Sequence, residues 1–180
     1  MTLKKIKLIA IINLFLLSFP AHFLYQFFPN ILVSFFFPVN ESIFEHMKII
    51  FTTTCIYGSI DYLFLKINKI KFANFSFQLF LTSFFSIPIY LVIYLPIRYL
   101  IGEYLIISIS LLLITYIISQ ILSYHILTSP NISWLNSISI PLIILVYLNF
   151  IILTYSPPHH YLFYDTTTHS YGIPKKYVEE

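Results

Sequence analysis

The chain has 180 residues, of which 58% are hydrophobic and 9% are charged, and its formal net charge is +3. Soluble domains carry about 25% charged residues, so a soluble fold would expose far more apolar surface than water tolerates. The composition therefore predicts an integral membrane protein with the lipid bilayer as its main partner. The lysines form two separate clusters, which argues against a nucleic-acid-binding surface.

Five apolar stretches reach the roughly 20 residues that a transmembrane helix needs. The first follows Lys4, Lys5 and Lys7 and is longer than the apolar core of a signal peptide, so we expect it to be retained. The sequence predicts one all-α membrane domain, residues 1–180, with five transmembrane helices and a polar tail at 156–180. The spans are expected at about 8–28, 43–65, 75–97, 104–127 and 138–155.

Two further features concern packing. The apolar stretch 31–37 is too short to span, and we expect it to lie at the membrane interface or to enter the membrane and return to the same side. The single cysteine, Cys55, lies inside a predicted span and has no partner for an intrachain disulfide. Hydroxyl residues follow one face of the fourth span, a pattern typical of close helix packing. They are Ser108, Thr115, Ser119 and Ser123.

Lysines also predict the orientation. Short cytoplasmic loops are enriched in Lys and Arg. The N-terminal lysines and the cluster Lys66, Lys69 and Lys71 are separated by two predicted spans, so both can lie inside. The N-terminus is then cytoplasmic and the C-terminal tail is outside, in a multi-pass protein of the plasma membrane.

The stretch 38–48 at the start of the second span carries the densest polar chemistry, and this orientation places it at the outer face. Glu41 and Glu45 lie one helical turn apart, so they can chelate a divalent metal ion. Such a metal, Zn or Mn, would activate water for hydrolysis, with Glu45 and His46 as the catalytic residues. The candidate ligands are Glu41, Glu45, His46 and, from the tail, His159 and Asp165.

A structural interpretation of the same stretch stays open. Ser42 and Glu45 have the spacing of a capping box, and Asn40 is also a good N-cap. Glu45 and Lys48 can pair at i, i+3. His46 is not explained in this way, because helix capping does not require it.

Other ionisable residues define a wider candidate polar network. Arg98 and Glu103 join the third and fourth spans at the outer face, whereas Asp61 lies near the inner end of the second span. Asp61 is expected either to extend to the inner interface or to pair with Lys66 or another neighbour, and Gln120 and His125 lie at a similar depth. The predicted substrate or polar network comprises Asn40, Ser42, Lys48, Asp61, Arg98, Glu103 and Gln120.

Three motifs resemble a family of small, uncharacterised bacterial membrane proteins that has the pattern Pro-Val-Asn-Glu-Ser-x-x-Glu-His. They are residues 38–48, residues 119–124, and the tail pattern with Pro157-Pro158-His159, Phe163-Tyr164-Asp165 and Tyr171-Gly172-Ile173. The resemblance implies a multi-pass membrane fold and brings no known activity or cofactor. Phe44 stands where the family pattern has Trp, and His169 stands where it has Gly, which argues against His169 as a ligand. The motif positions it implies are Asn40, Glu41, Ser42, Glu45, His46, Pro158, His159 and Asp165.

Three functions are compatible with these residues. The first is metal-assisted hydrolysis of a lipid or envelope substrate at the outer face. The second is a small transporter or permease subunit in which the polar residues bind a small molecule and Asp61 lies on its path. The third is a structural or accessory membrane protein in which the motif and the tail hold each other by hydrogen bonds.

Overall fold

The computed structural model describes residues 1–174, and most of them form long helices. The α-helices of this part of the chain are α1 Leu3–Phe27, α2 Ile31–Phe36, α3 Ile43–Ile67, α4 Phe75–Ile101, α5 Leu105–Thr128 and α6 Ser133–Tyr155. A 3₁₀ turn, Tyr161–Phe163, leads into a small antiparallel hairpin of β1 Tyr164–Asp165 and β2 Ser170–Tyr171. The rest of the predicted tail, 175–180, lies outside the described residues.

Four of the long helices close into a ring, in which α1 packs on α3, α3 on α4, α4 on α5 and α5 on α1. Tyr116 of α5 lies inside this ring with no exposed surface. Its hydroxyl lies 2.7 Å from the Ser18 hydroxyl of α1 and 2.8 Å from the Thr53 hydroxyl of α3. The fifth long helix, α6, packs outside the ring against α4 and the short α2.

Local sequence explains where helices begin. The Thr2 hydroxyl, the Asn30 side-chain oxygen and the Ser42 hydroxyl each accept a hydrogen bond from a backbone N–H in the first turn of α1, α2 and α3. Because Thr2 caps α1, this helix starts at Leu3 and includes the lysines that precede the apolar run. Likewise, α6 starts at Ser133 and not at the predicted 138. Its first turns are polar, so the apolar run that hydropathy detects begins later than the helix does.

Four helices are long and apolar enough to cross a membrane, namely α1, α4, α5 and α6. The helix α3 has 25 residues, as α1 has, but it carries Glu45, Lys48, Asp61 and Lys66 and is not among them. The all-helical class and helices compatible with a membrane protein are confirmed, whereas the predicted number of five spans and the topology are not.

Most of the hydroxyl stripe of α5 is buried within the ring. Thr115, Ser119 and Ser123 are at most 1% exposed, and the Ser119 hydroxyl points at the Thr82 carbonyl of α4 at 3.5 Å. Small side chains at this interface let the helix backbones approach closely, as the pattern predicts. Ser108 differs, because it lies at the other end of α5 beside a cavity.

Candidate metal centre

The register between α1 and α3 brings together two histidines that are distant in sequence. Near one end of these antiparallel helices, Lys7 of α1 forms a buried ion pair with Asp61 of α3. His22 lies 15 residues beyond Lys7, and His46 lies 15 residues before Asp61. Both histidines are therefore about 22 Å from the ion pair, and they meet at the opposite end of the helices. Their ring centroids are 5.1 Å apart.

Glu41, just before α3, completes a cluster with these histidines. Its Oε2 atom lies 3.6 Å from Nε2 of His22 and 3.5 Å from Nε2 of His46. The three candidate ligand atoms all lie within 4.8 Å of one another. A tetrahedral zinc ion with bonds of about 2.1 Å holds its ligand atoms roughly 3.4 Å apart. Both His–Glu distances fit this arrangement.

Neighbouring groups orient two of the three candidate ligands. Nδ1 of His46 lies 2.8 Å from the backbone carbonyl of Ser42. Since a carbonyl only accepts, Nδ1 carries a proton, and Nε2 is the ring nitrogen that faces Glu41. A backbone carbonyl that fixes the tautomer is the usual support of a metal-binding histidine. The Gln26 amide donates to Oε1 of Glu41 at 3.4 Å and leaves Oε2 for the cluster.

An apolar cavity of about 260 Å³ lies beside the cluster and extends between α1, α3, α4 and α5. His22 and His46 form part of its wall, and the other polar groups there are the hydroxyls of Ser18, Tyr90 and Ser108. The apolar wall consists of Phe19, Phe23, Ile49, Ile50, Leu105, Ile109 and Leu112. The cluster thus borders a space suited to a hydrocarbon group.

Glu45, predicted as a ligand and catalytic residue, is engaged elsewhere. Its Oε2 accepts from Lys48 Nζ at 2.7 Å and from the Val39 backbone N–H at 3.0 Å. Its Oε1 accepts from the Thr154 hydroxyl of α6 at 2.7 Å. Glu45 is 2% exposed and Lys48 is fully buried. Glu45 therefore belongs to a buried ion pair that joins α3 to α6, as the i, i+3 interpretation predicts, and is not part of the cluster.

Asn40 ties the motif to the tail. Its side-chain amide donates to the Gly172 carbonyl at 2.7 Å, and its side-chain oxygen accepts from the Ser42 backbone N–H at 2.8 Å. Gly172 has φ +68°, and a Cβ there would lie 3.0 Å from the Thr154 carbonyl. Only glycine meets both conditions without strain. The tail therefore folds back onto the start of α3, as the third functional hypothesis predicts.

Asp165, a predicted metal ligand, is instead held by hydrogen bonds within the hairpin. It is fully buried and accepts from the Thr167 backbone N–H at 2.8 Å and from the Thr168 hydroxyl at 2.6 Å. Burial raises the pKa of Asp165, but these bonds and one from the Glu41 backbone N–H outweigh it and hold the pKa below its usual range. His159 stacks on Tyr171 with 4.7 Å between ring centroids. Neither residue joins the cluster.

Acid is expected to detach the tail from the motif. Because the pKa of Asp165 is lower in the folded chain than in the unfolded chain, its contribution is complete above the unfolded value near 3.9 and is lost as the pH falls through the folded pKa. Limited pepsin digestion between about pH 5 and pH 2 would follow this as new cleavage in the tail. An Asp165→Asn variant should already be cleaved faster at the upper end of this range. Equal tail cleavage of both chains at every pH would contradict the prediction.

The remaining predicted polar residues lie apart from the cluster. Arg98 and Glu103 form a partly exposed ion pair of 2.9 Å at the α4–α5 connection, so they contribute little to stability. Asp61 pairs with Lys7, while Lys66 lies over the Tyr62 ring. Gln120 is buried on α5, near the end of the ring at which Lys7 pairs with Asp61.

His22 is the member of the cluster that the sequence-based ligand set lacks. No other candidate ligand lies near His22 in the sequence at a spacing typical of a metal site. Its partners come from α3 and the loop before it. One available signal was depth, since His22 and His46 lie equally far from the lysine-rich ends of their helices. Depth alone does not predict contact without the knowledge that α1 packs on α3.

The fold and the cluster define a class: a helical protein with apolar helices compatible with a membrane, and a histidine–glutamate cluster at one end. A model of a family of unknown function, DUF6512, matches residues 1–173, and the chain belongs to this family. No curated protein and no solved structure matched the chain.

Proposed function

We propose that this protein is a multi-pass membrane protein that binds a divalent transition metal ion, preferentially Zn²⁺, through His22, Glu41 and His46. The observation that supports it is the convergence of three ligand atoms within 4.8 Å, from two helices and the loop before the second. Two imidazoles and one carboxylate form the ligand set of hydrolytic zinc sites, in which the fourth position holds water.

The proposed reaction is hydrolysis of a substrate with an acyl chain. Zinc lowers the pKa of its bound water to about 7, which supplies a hydroxide nucleophile at neutral pH. Because both histidines line the apolar cavity, a substrate carbonyl at the cluster would have its hydrocarbon chain among the phenylalanine and leucine side chains there. The hydroxyls of Tyr90 and Ser108 are the groups of the cavity wall that could donate hydrogen bonds to the carbonyl oxygen.

Five membrane spans and an outward-facing cluster belong to the same proposal. The ionisable groups of α3 are largely neutralised, since Glu45 pairs with Lys48 and Asp61 pairs with Lys7. Burial of these pairs against neighbouring helices lowers the cost of placing α3 in a bilayer. The positive-inside rule then places the lysine-rich end of α1 and α3 in the cytoplasm and the cluster at the outer face of the plasma membrane.

Metal analysis tests this proposal directly. The wild-type protein, purified in mild detergent with zinc supplied, is expected to retain about one ion per chain after dialysis. Loss of the outer hydrogen-bond partner of a ligand costs 10–100-fold in affinity, and His22→Ala or His46→Ala should cost at least that much. His125→Ala is a matched control, because His125 is an exposed histidine on α5 outside the cluster. Unchanged zinc content in both cluster variants would overturn the proposal.

A structural role is the second candidate, and the hydrogen bonds of the motif favour it. Asn40 binds Gly172, Glu45 binds Thr154, and Asp165 accepts from the Glu41 backbone. These contacts account for the start of α3 without any ligand, but they do not account for the approach of His22 to His46. If zinc is absent from all variants while the fold is stable, the structural role is the one that remains.

A further inference from the structure

Four buried side-chain oxygens have no hydrogen-bond partner within residues 1–174. They are Oδ1 of Asp61, Oε1 of Gln78, Oε1 of Gln120 and Oγ of Ser123. All four side chains belong to residues that are at most 5% exposed. A buried polar group without a partner is destabilising, so four of them in one protein require an explanation.

The contacts between α3 and α4 place Asp61 and Gln78 at one level of the ring. The rings of Tyr62 and Phe75 are 4.9 Å apart, and Gly58 packs against Leu79 one turn further along. Asp61 lies between Gly58 and Tyr62 on α3, and Gln78 lies between Phe75 and Leu79 on α4. The same two helix contacts therefore bracket both residues.

The contacts between α4 and α5 add the other two residues to this level. The Ala73 backbone N–H donates to the Leu127 carbonyl at 2.9 Å, and the Ser119 hydroxyl points at the Thr82 carbonyl at 3.5 Å. Ala73 lies just before α4, so Gln78 lies between the two contacts along this segment, and Gln120 and Ser123 lie between them on α5. We call Lys7, Asp61, Gln78, Gln120 and Ser123 together the polar layer.

Hydrogen bonds fix which end of the Gln78 amide is left without a partner. The Thr82 hydroxyl donates its single proton to the Gln78 backbone carbonyl at 2.8 Å. It can therefore only accept from the Gln78 side chain, which must present Nε2 at 3.1 Å. The carbonyl oxygen of this side chain then faces the layer as an acceptor.

A groove of about 230 Å³ borders the layer, because Lys7 and Gln120 of the layer form part of its wall. It runs between α1 and α5 beside the lysines of α1, and the rest of its wall consists of Lys4, Leu8, Ile11, Ile121 and Tyr124. On the other side of the layer, the ring is filled by an apolar cluster that includes Ala10, Leu14, Ile50, Tyr57 and Tyr116. This apolar cluster separates the layer from the end of the ring that carries the histidine cluster.

The charges of the layer define what fits there. Lys7 and Asp61 neutralise each other, so a free cation would be repelled by the ammonium and a free anion by the carboxylate and amide oxygens. The ammonium has three donors and its hydrogen bond within the described chain goes to Asp61, while four oxygens lack partners. A neutral molecule that both donates and accepts satisfies both sides.

We propose that the polar layer binds water, and that this water joins the Lys7–Asp61 pair to the lysine-rich face through the groove. Buried waters make about three hydrogen bonds each to polar groups that lack protein partners. The layer supplies such groups on α3, α4 and α5. Asp61 is thereby a protonatable group inside the helix ring that exchanges with solvent from one face and is sealed from the face that carries the histidine cluster.

Cysteine accessibility tests this proposal in the full-length protein. In a Cys55→Ala background, Gln120→Cys is treated in sealed vesicles with a charged, membrane-impermeant methanethiosulfonate. A thiol reacts as thiolate, which forms in water and not in lipid. We expect reaction at least about tenfold faster when the reagent is applied to the lysine-rich face than to the opposite face.

Ile60→Cys is the matched control, because Ile60 is adjacent to Asp61 in sequence but is 39% exposed on the outside of the ring. It should react slowly from both faces. Equal rates for Gln120→Cys and Ile60→Cys, or faster reaction of Gln120→Cys from the opposite face, would overturn the proposal. If Gln120→Cys does not elute as a folded protein, the nearly isosteric Ser123→Cys replaces it, with the same expected and contradicting outcomes.

Discussion

Replacing Glu45 by Ala is expected to lower the free energy of unfolding by about 3–5 kcal/mol, because it leaves the ammonium of Lys48 buried without its counter-ion. Lys48 has no exposed surface, and its remaining hydrogen bond within residues 1–174 goes to the Ser34 carbonyl at 2.9 Å. The Val39 backbone N–H and the Thr154 hydroxyl lose their acceptor at the same time. Thermal unfolding in mild detergent, followed by circular dichroism, would measure the loss.

A paired variant separates the charge from the packing. Glu45→Gln with Lys48→Met removes both charges and keeps similar volumes. The glutamine oxygen can accept from the Val39 N–H while its Nε2 donates to the Thr154 hydroxyl, so the double variant should recover most of the stability that Glu45→Ala loses. The two variants also test the role of Glu45. If Glu45 were a metal ligand, a chelator would destabilise the wild type as much as the substitution does, whereas the ion pair predicts no such equivalence. A Glu45→Ala protein with wild-type melting behaviour would contradict the prediction.

Hydropathy and capping rules predicted the elements of the fold well. Residues 31–37, predicted as too short to span, correspond to the short α2, and the Ser42 cap of α3 follows from its side chain. Helix starts were missed by several residues in α1 and α6, because polar first turns lie outside the apolar run that hydropathy detects. These are local properties, and the local sequence contains them.

Contacts between helices were not predictable in the same way. The sequence placed Glu41 and His46 in a candidate metal site but joined them to Glu45, His159 and Asp165, whose side chains bind Lys48, Tyr171 and Thr168 respectively. Asp61 had Lys66 as a nearby cation, yet its partner is Lys7, 54 positions away. Helical spacing reports which residues share a face, and hydropathy reports depth. Neither reports which helix lies opposite.

The polar side chains fall into two groups, according to whether other protein groups provide all of their hydrogen-bond partners. Every carboxylate oxygen of Glu45 has protein donors, and so does Asp165, which is typical of groups that hold a fold together. His22, His46 and Glu41 instead converge with one candidate ligand atom each within 4.8 Å of the others, and the polar layer retains unpartnered oxygens. Function is therefore to be sought in the second group, at the two ends of the α1–α3 pair.

Lys7→Met is expected to be more damaging than Asp61→Asn, although both break the same ion pair. Without Lys7, the Asp61 carboxylate stays inside the ring with no cation beside it, and we expect a loss of about 3–5 kcal/mol. Without Asp61, Lys7 can straighten along the groove, whose wall it already forms with Lys4, and place its ammonium in water at the protein surface. Asp61→Asn should therefore cost clearly less and remain folded, which is also the condition for testing Asp61 in transport.

The double variant Lys7→Met with Asp61→Asn provides the decisive comparison. It removes the Asp61 carboxylate charge that Lys7→Met leaves buried without a cation. Its melting temperature should lie above that of Lys7→Met alone, a coupling that a thermodynamic cycle over the four proteins measures. Lys4→Met serves as the control, because Lys4 is an exposed lysine at the groove that forms no part of the pair. If Asp61→Asn proves the more destabilising substitution, or if the double variant melts no higher than Lys7→Met, Lys7 has no route to water, and the groove is closed at the level of the ion pair.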